Sequence, residues 1–250
     1  MRVLVTRPAA QASEWVQQLR AAGLQAEALP LIDITPAVDA AAVAFAWAEL
    51  PAQAMAVFVS PNAVEHFFAA RPAHAGWPAG VLAASPGPGT TKVLRSLGVP
   101  LIAEPAADAP QFDSEALWAQ LSGRNWAGQR VLVVRGTSGR DWLAERLREC
   151  GAELSFVAAY ARSAPQPSPA QQALLAEALA QPVQHLWFFS SSEAIDHLQA
   201  LAPQAHWVHA SAIATHPRIA ERARALGIGR VIEARPSLEA VVACIQSFAS

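Results

Sequence analysis

Several stretches of this chain occur twice in the same order, and that repetition constrains the fold more than any single motif. Val3-Leu4-Val5-Thr6-Arg7 returns as Val131-Leu132-Val133-Val134-Arg135, and the spacing holds to Leu19 and Gly23, which match Leu147 and Gly151. Val57-Phe58-Val59-Ser60-Pro61-Asn62-Ala63-Val64 lies over Phe188-Phe189-Ser190-Ser191-Ser192-Glu193-Ala194-Ile195. Leu97-Gly98-Val99 pairs with Leu226-Gly227-Ile228, and Ser114-Glu115-Ala116-Leu117 with Ser237 and Glu239-Ala240-Val241. Four blocks in one order read as an internal duplication whose loops have drifted in length.

Each copy has the same element order. A short apolar, largely β-branched run (Val3 to Thr6; Val131 to Val134) suits a strand buried on both faces. A helix follows, with Trp15, Val16 and Leu19, or Leu143 and Leu147, at helical spacing, closed by Gly23 or Gly151 where a left-handed residue ends it. Extended segments are expected over 26–34 and 154–160, then strands over 55–59 and 185–189 and helices from Asn62 and Glu193. Strand and helix in alternation imply right-handed crossovers and a parallel sheet covered on both faces. The expected fold is α/β, as two similar doubly wound, flavodoxin-like domains.

Prolines at Pro36, and at Pro165, Pro167 and Pro169, occupy equivalent places in the two copies and suit semi-rigid linkers. If the chain crosses at both, one domain is 1–34 plus 170–250 and the other 38–162, with linkers 35–37 and 163–169. Two consecutive halves meeting near residue 126 fit the sequence equally well.

Charge narrows the partners. Basic residues number 18 and acidic 20, a balance that disfavours nucleic acid. The apolar run from Ala40 to Ala48 is stopped by Glu49 and Pro51, well short of a span of about 20 residues, so no membrane partner is expected. The opening residues read as a strand rather than a leader, and a cytoplasmic chain is expected. Cys150 and Cys244 have no partner at metal-ligand spacing and are expected to be small buried side chains.

Ligands of open α/β sheets sit beyond the carboxyl ends of the strands. In one copy those positions hold Thr6, Arg7, Ser60, Asn62 and the loop from Ser85 to Thr91, which includes Gly89 and Thr90. In the other they hold Arg135, Gly136, Thr137, Ser138, Gly139 and Arg140, then Ser190, Ser191 and Ser192, then Thr215, His216 and Arg218. Hydroxyls, arginines and helix-start amides suit carboxylates or phosphates. Ser60, Thr90 and Ser191 also sit where ordinary N-caps belong. Lys92 is the sole lysine, so every other basic residue is an arginine, the side chain best shaped for carboxylates.

No metal pattern, Gly-x-Ser-x-Gly elbow, Walker loop or GxGxxG occurs. Neither a metal nor a cofactor is expected. Gly136-Thr137-Ser138-Gly139 resembles a flavin phosphate loop, but Pro8-Ala9-Ala10 in the other copy does not. Tyr160 is the only tyrosine. It is either a half-buried ring at a domain edge or a hydrogen-bond donor in a cleft.

Taken together the sequence resembles the uroporphyrinogen-III synthase family of tetrapyrrole biosynthesis. The carriers are Val3-Leu4-Val5-Thr6-Arg7-Pro8 with Leu19 and Gly23, Phe58 to Val64, and Gly87-Pro88-Gly89-Thr90. Arg135-Gly136 with Gly139-Arg140, Val157 to Tyr160, and Phe189-Ser190-Ser191 complete them. The resemblance implies two α/β domains joined by a two-stranded linker that the chain crosses twice. It implies a lyase, a monomer with flexible hinges, that takes hydroxymethylbilane, a linear tetrapyrrole. The terminal pyrrole ring is inverted, water is lost and the macrocycle closes through a spiro intermediate, without metal or cofactor. The family's active-site tyrosine falls on Tyr160 and its interdomain hydroxyls on Ser60, Thr90 and Ser191. A fourth hydroxyl position is lost, because His216-Pro217-Arg218-Ile219 stands where a threonine is expected, and Arg218 is the candidate replacement.

Under that resemblance Tyr160 assists hydroxyl departure. Thr6, Arg7, Ser60, Asn62, Gly89, Thr90, Arg135, Arg140, Ser190, Ser191 and Arg218 bind substrate. The other class consistent with the sequence is a non-catalytic module closing on a small anionic ligand in an interdomain cleft. A third, flavodoxin-like electron transfer, predicts a yellow protein.

Overall fold

The apolar runs of the repeat become the inner strands of two separate sheets. A computed structural model describes residues 1–137 and 139–249; Ser138, named above as a strand-end residue, lies outside the described residues, as does Ser250.

Along the chain come β1 (Arg2–Val5), α1 (Ala9–Ala21), β2 (Ala26–Ala28) and β3 (Asp33–Pro36). Next are α2 (Ala40–Glu49), β4 (Met55–Phe58), α3 (Pro61–Ala69), β5 (Leu82–Ala84), α4 (Pro88–Ser96), β6 (Ile102–Ala103) and α5 (Ser114–Leu121). Then follow β7 (Arg130–Gly136), α6 (Trp142–Glu149), β8 (Glu153–Ser163) and α7 (Pro169–Ala180). Last are β9 (His185–Phe189), α8 (Ser192–Leu201), β10 (Ser211–Ala214), α9 (Pro217–Leu226), β11 (Arg230–Glu233) and α10 (Leu238–Ala249). Two compact units result: Met1–Asp33 with Ser163–Ser250, and Ile34–Arg162.

The first unit holds a five-stranded sheet in the order β2-β1-β9-β10-β11, with every neighbouring pair parallel. The second holds six strands in the order β3-β8-β7-β4-β5-β6, and β8 through β6 are parallel throughout. With β7 and β8 set over β1 and β2, and β4 to β6 over β9 to β11, the order is the same in both units. This is an α/β fold of two parallel-sheet units.

Helices cover both faces, which is why the inner strands are apolar at every position rather than alternately. In the first unit Val3, Val5, Leu186 and Phe188 pack on Val16 and Leu19 of α1 and Val241 and Ile245 of α10. In the second, Phe58, Leu132 and Val134 face α2 and α3 through Trp47, Phe67 and Phe68. Met55, Val57 and Val131 face α5 and α6 through Leu117, Leu121, Leu143 and Leu147. Gly23 and Gly151 are left-handed, with φ of 80° and 85°, where their helices stop.

Two expectations are corrected. The segment 26–34 is not one strand: β2 ends at Ala28 and β3 begins at Asp33 in the other sheet. Pro30 has no N–H to give the ladder, although Leu29 and Leu31 still donate to Val5 and Thr6 carbonyls at 3.0 and 3.2 Å. Cys150 is exposed rather than buried, because it follows the last turn of α6, and Cys244 is half-buried. Burial raises the Cys244 thiol pKa, with Arg230 opposing the shift. Among the described residues, no helix is long and apolar enough to cross a membrane.

Candidate functional site

In the second unit the chain leaves β4 through Ser60, which caps α3 by accepting the Ala63 N–H at 3.2 Å. β8 reaches the same place by an irregular route. Its ladder with β7 pairs Arg135 with Ala158 but Gly136 with Tyr160, so β8 carries one extra residue. Such a bulge re-aims the side chains beyond it. It sets the Tyr160 ring over Gly136, where a Cβ would stand 3.0 Å from Cζ and 3.3 Å from Oη. The phenol oxygen lies 3.0 Å from Ser60 Oγ and accepts a hydrogen bond from Arg162 Nη2 at 2.9 Å. The His66 ring stacks alongside at 5.9 Å between centroids. Tyr160 is fully buried, at 0% exposure, whereas Ser60 is half-buried. The reading of Tyr160 as a half-buried edge ring is therefore corrected.

Beside Ser60, Asn62 is buried in the first turn of α3, and Gly89 lies against Pro61 at 3.6 Å from an added Cβ. The starts of α3 and α4 are thus adjacent. Thr90 is not an N-cap, contrary to expectation. Gly87 occupies that position and Thr90 is buried inside the first turn, while Thr91 is tied to Ser85 at 2.7 Å.

The arginines of the β7–α6 connection are engaged within the protein. Arg135 pairs with Asp141, donates to the Gly139 carbonyl at 3.2 Å and lies 5.6 Å from the Phe156 ring centre. Arg140 holds Glu115 through both guanidinium nitrogens and lies over Trp142.

In the first unit the corresponding strand ends carry Thr6, Arg7, Ser190, Ser191 and His216. Thr6 is buried and donates to the Phe188 carbonyl at 2.8 Å. The Arg7 guanidinium lies between Trp15 and Phe188, 5.1 and 5.8 Å from their ring centres. Nη1 reaches Gln11 at 3.4 Å, and the enclosed Nε has no hydrogen-bond partner among the described residues. Burial drives the Arg7 pKa down from the usual guanidinium value to about 10, with Glu14 opposing part of the shift. Ser191 stands at the N-cap of α8, but its side chain makes no capping hydrogen bond among the described residues. At α9, His216 fills the cap, its Nδ1 accepting the Arg218 N–H at 3.1 Å. Ile219, buried, takes the place equivalent to Thr90, and the Arg218 side chain is exposed.

Sequence reasoning brought Ser60 and Tyr160 forward separately; the fold joins them. It missed Arg162 and His66. Arg162 was findable, since residues two apart on a strand share a face. Among the described residues, no three His, Cys, Asp or Glu side chains are grouped to hold a metal ion.

The comparisons agree with one another. The family model described as uroporphyrinogen-III synthase HemD matches residues 13–243. A uroporphyrinogen-III synthase of Escherichia coli K12 is 30% identical over 234 residues, covering 91% of this chain and 92% of its own. One from Salmonella typhimurium is 30% identical over 238 residues, with the same shares covered. Among solved structures, a mutant uroporphyrinogen III synthase from the extreme thermophile Thermus thermophilus superposes with a TM-score of 0.63 at 14% identity, covering 100% of this chain and 98% of its own. The Helicobacter pylori uroporphyrinogen-III synthetase does so at 0.60 and 18%, covering 99% of each chain. At those identities the structures speak for the fold alone. The family match and the two enterobacterial relatives carry the assignment, and the chain belongs to the uroporphyrinogen-III synthase family.

Proposed function

We propose that this chain carries out its family's reaction by closing hydroxymethylbilane to uroporphyrinogen III, with inversion of the terminal ring and loss of water. The observation that carries the site reading is the buried Tyr160 phenol held between Arg162 and Ser60 at the carboxyl ends of the strands. Electron-rich pyrroles expel a hydroxyl readily, so the protein needs little acid–base power. Its work is to hold one folded conformer and exclude water, so that the terminal ring attacks through its substituted carbon.

Within each unit taken by itself, the first turns at the strand ends, α3 and α4 in one and α8 and α9 in the other, offer the N–H donors and partial positive charge that suit carboxylates. Arg7 is the strongest candidate among the side chains, because its half-buried guanidinium stands just past the end of β1 and its Nη1 is held only by a long 3.4 Å contact to Gln11. Thr6, Asn62, Gly89, Thr90, Ser190, Ser191 and Arg218 remain in the proposed binding set. Arg135 and Arg140 join it only by exchanging Asp141 and Glu115 for substrate carboxylates. The reading keeps a cytoplasmic monomer without membrane partner, the monomer being what the family resemblance implies, and the near-balanced charge supports the absence of a nucleic-acid partner. An origin by internal duplication is supported by the shared strand order.

The test is a coupled assay. Freshly generated hydroxymethylbilane with the purified protein is expected to yield the III isomer. Recovery of only the spontaneous I isomer would overturn the enzyme reading and leave a binding module.

A further inference from the structure

Resting on that reading, we propose that Ser60, rather than the Tyr160 phenol, hands the proton to the departing hydroxyl, with Tyr160 and Arg162 behind it as a relay. The phenol is fully enclosed, with Gly136 against one face and His66 alongside, so it does not meet a ligand directly. Ser60 is the half-buried member of the chain and stands at the strand end.

Hydrogen-bond capacity fixes the direction of the chain. A guanidinium only donates, so Arg162 takes a lone pair of the phenol oxygen and offers no place for its proton. If Ser60 also donated to that oxygen, the phenol's own proton would be buried without an acceptor, a costly arrangement. The phenol therefore donates to Ser60 Oγ, which lies 3.0 Å away. Ser60 Oγ already accepts the Ala63 N–H at 3.2 Å, so both its lone pairs are used and its own proton points outward.

The step balances. The Ser60 O–H bond breaks as its proton joins the leaving hydroxyl to form water. The carbon–oxygen pair leaves with that water, and the pyrrole nitrogen lone pair forms the new carbon–nitrogen double bond. The Tyr160 proton moves to Ser60 Oγ, and the phenolate is held by the Arg162 guanidinium. The proton released when the pyrrole regains aromaticity restores the phenol. Ser60 is then the catalytic residue, and Tyr160 and Arg162 act through it.

Steady-state kinetics on hydroxymethylbilane test the relay once the wild type is seen to make the III isomer; a wild type giving only the I isomer overturns both readings. Ser60→Asn keeps a good cap but passes no proton, and Ser60→Thr keeps the hydroxyl. Ser60→Asn and Tyr160→Phe are each expected to lower kcat about 100-fold with little change in KM. Their combination is expected to be no worse than the worse single variant. Ser60→Thr is expected to retain most of kcat, and Arg162→Lys more than Arg162→Met. Thermal unfolding of each variant, with a wild-type-like midpoint required, separates these losses from misfolding. If Ser60→Asn raises KM while kcat stays, Ser60 is a carboxylate contact and the relay is wrong. Multiplying losses in the double variant overturn it as well.

Discussion

A largely buried guanidinium with one N–H unsatisfied costs a folded protein stability, and Arg7 is that residue. Its pKa falls to about 10 because burial disfavours the charged form. The unfolded chain therefore holds this proton more tightly than the folded one. The cost is present in full below about pH 10 and is relieved only as pH rises from there toward the ordinary guanidinium pKa. Arg7→Met removes the charge and keeps an adaptable side chain between Trp15 and Phe188. Solvent still screens the partly exposed guanidinium, so a modest gain of about 1 kcal/mol at neutral pH is expected. KM for the bilane should rise about tenfold or more in the same variant. Calorimetry and kinetics on one preparation check both, and a variant that loses stability with KM unchanged would make Arg7 purely structural.

Among the elements, the bulge in β8 decides where the Tyr160 ring of the proposed site sits. A regular ladder would set Ala159 opposite Gly136 and turn Tyr160 to the other face; the extra residue brings Tyr160 across instead. Gly136→Ala would drive a methyl to 3.0 Å from the Tyr160 ring carbon. It is expected to cost about 1–3 kcal/mol and to lower activity. Gly80→Ala, which meets nothing within 4 Å, serves as the neutral control. Equal unfolding midpoints for the two variants would show that the ring has room to move. The strands themselves were legible, because β1, β4, β7 and β9 are covered on both faces and so are written as unbroken apolar runs. The bulge was not, since Ala158 and Ala159 read alike in any register. Arg135 and Arg140 looked like anion ligands because Asp141 and Glu115 gave no sign of claiming them. Glu115 in particular lies 25 positions from Arg140 and meets it only through folding. Thr90 misled differently: as a residue type it suits a cap, but Gly87-Pro88 begins the helix three residues earlier.

At the scale of the whole molecule the two units differ in how they are strung. The second is one continuous stretch, Ile34–Arg162, whereas the first is assembled from both ends of the chain. A fragment of residues 34–162 contains all the strands of its sheet from β4 to β8. It is expected to unfold cooperatively in urea on its own. A fragment of residues 163–250 lacks β1, which lies between β9 and β2. It should show no cooperative transition until a peptide of residues 1–33 is supplied. Cooperative unfolding of the 163–250 fragment alone would show that β9 to β11 need no inner neighbour.

That arrangement sets an order of manufacture. Val3, Leu4 and Val5 leave the ribosome well before their partners Leu186, Trp187 and Phe188, which are made more than 180 residues later. At about 5–20 residues per second, the first strand waits roughly 10–40 s for its neighbour. Late in that interval, once residue 162 has been made, the first strand, still without its β9 neighbour, is tethered to a second unit already able to fold. The growing chain therefore holds an unpaired strand edge open until β9 emerges, and the synthesis of β9 sets how soon the first sheet can close.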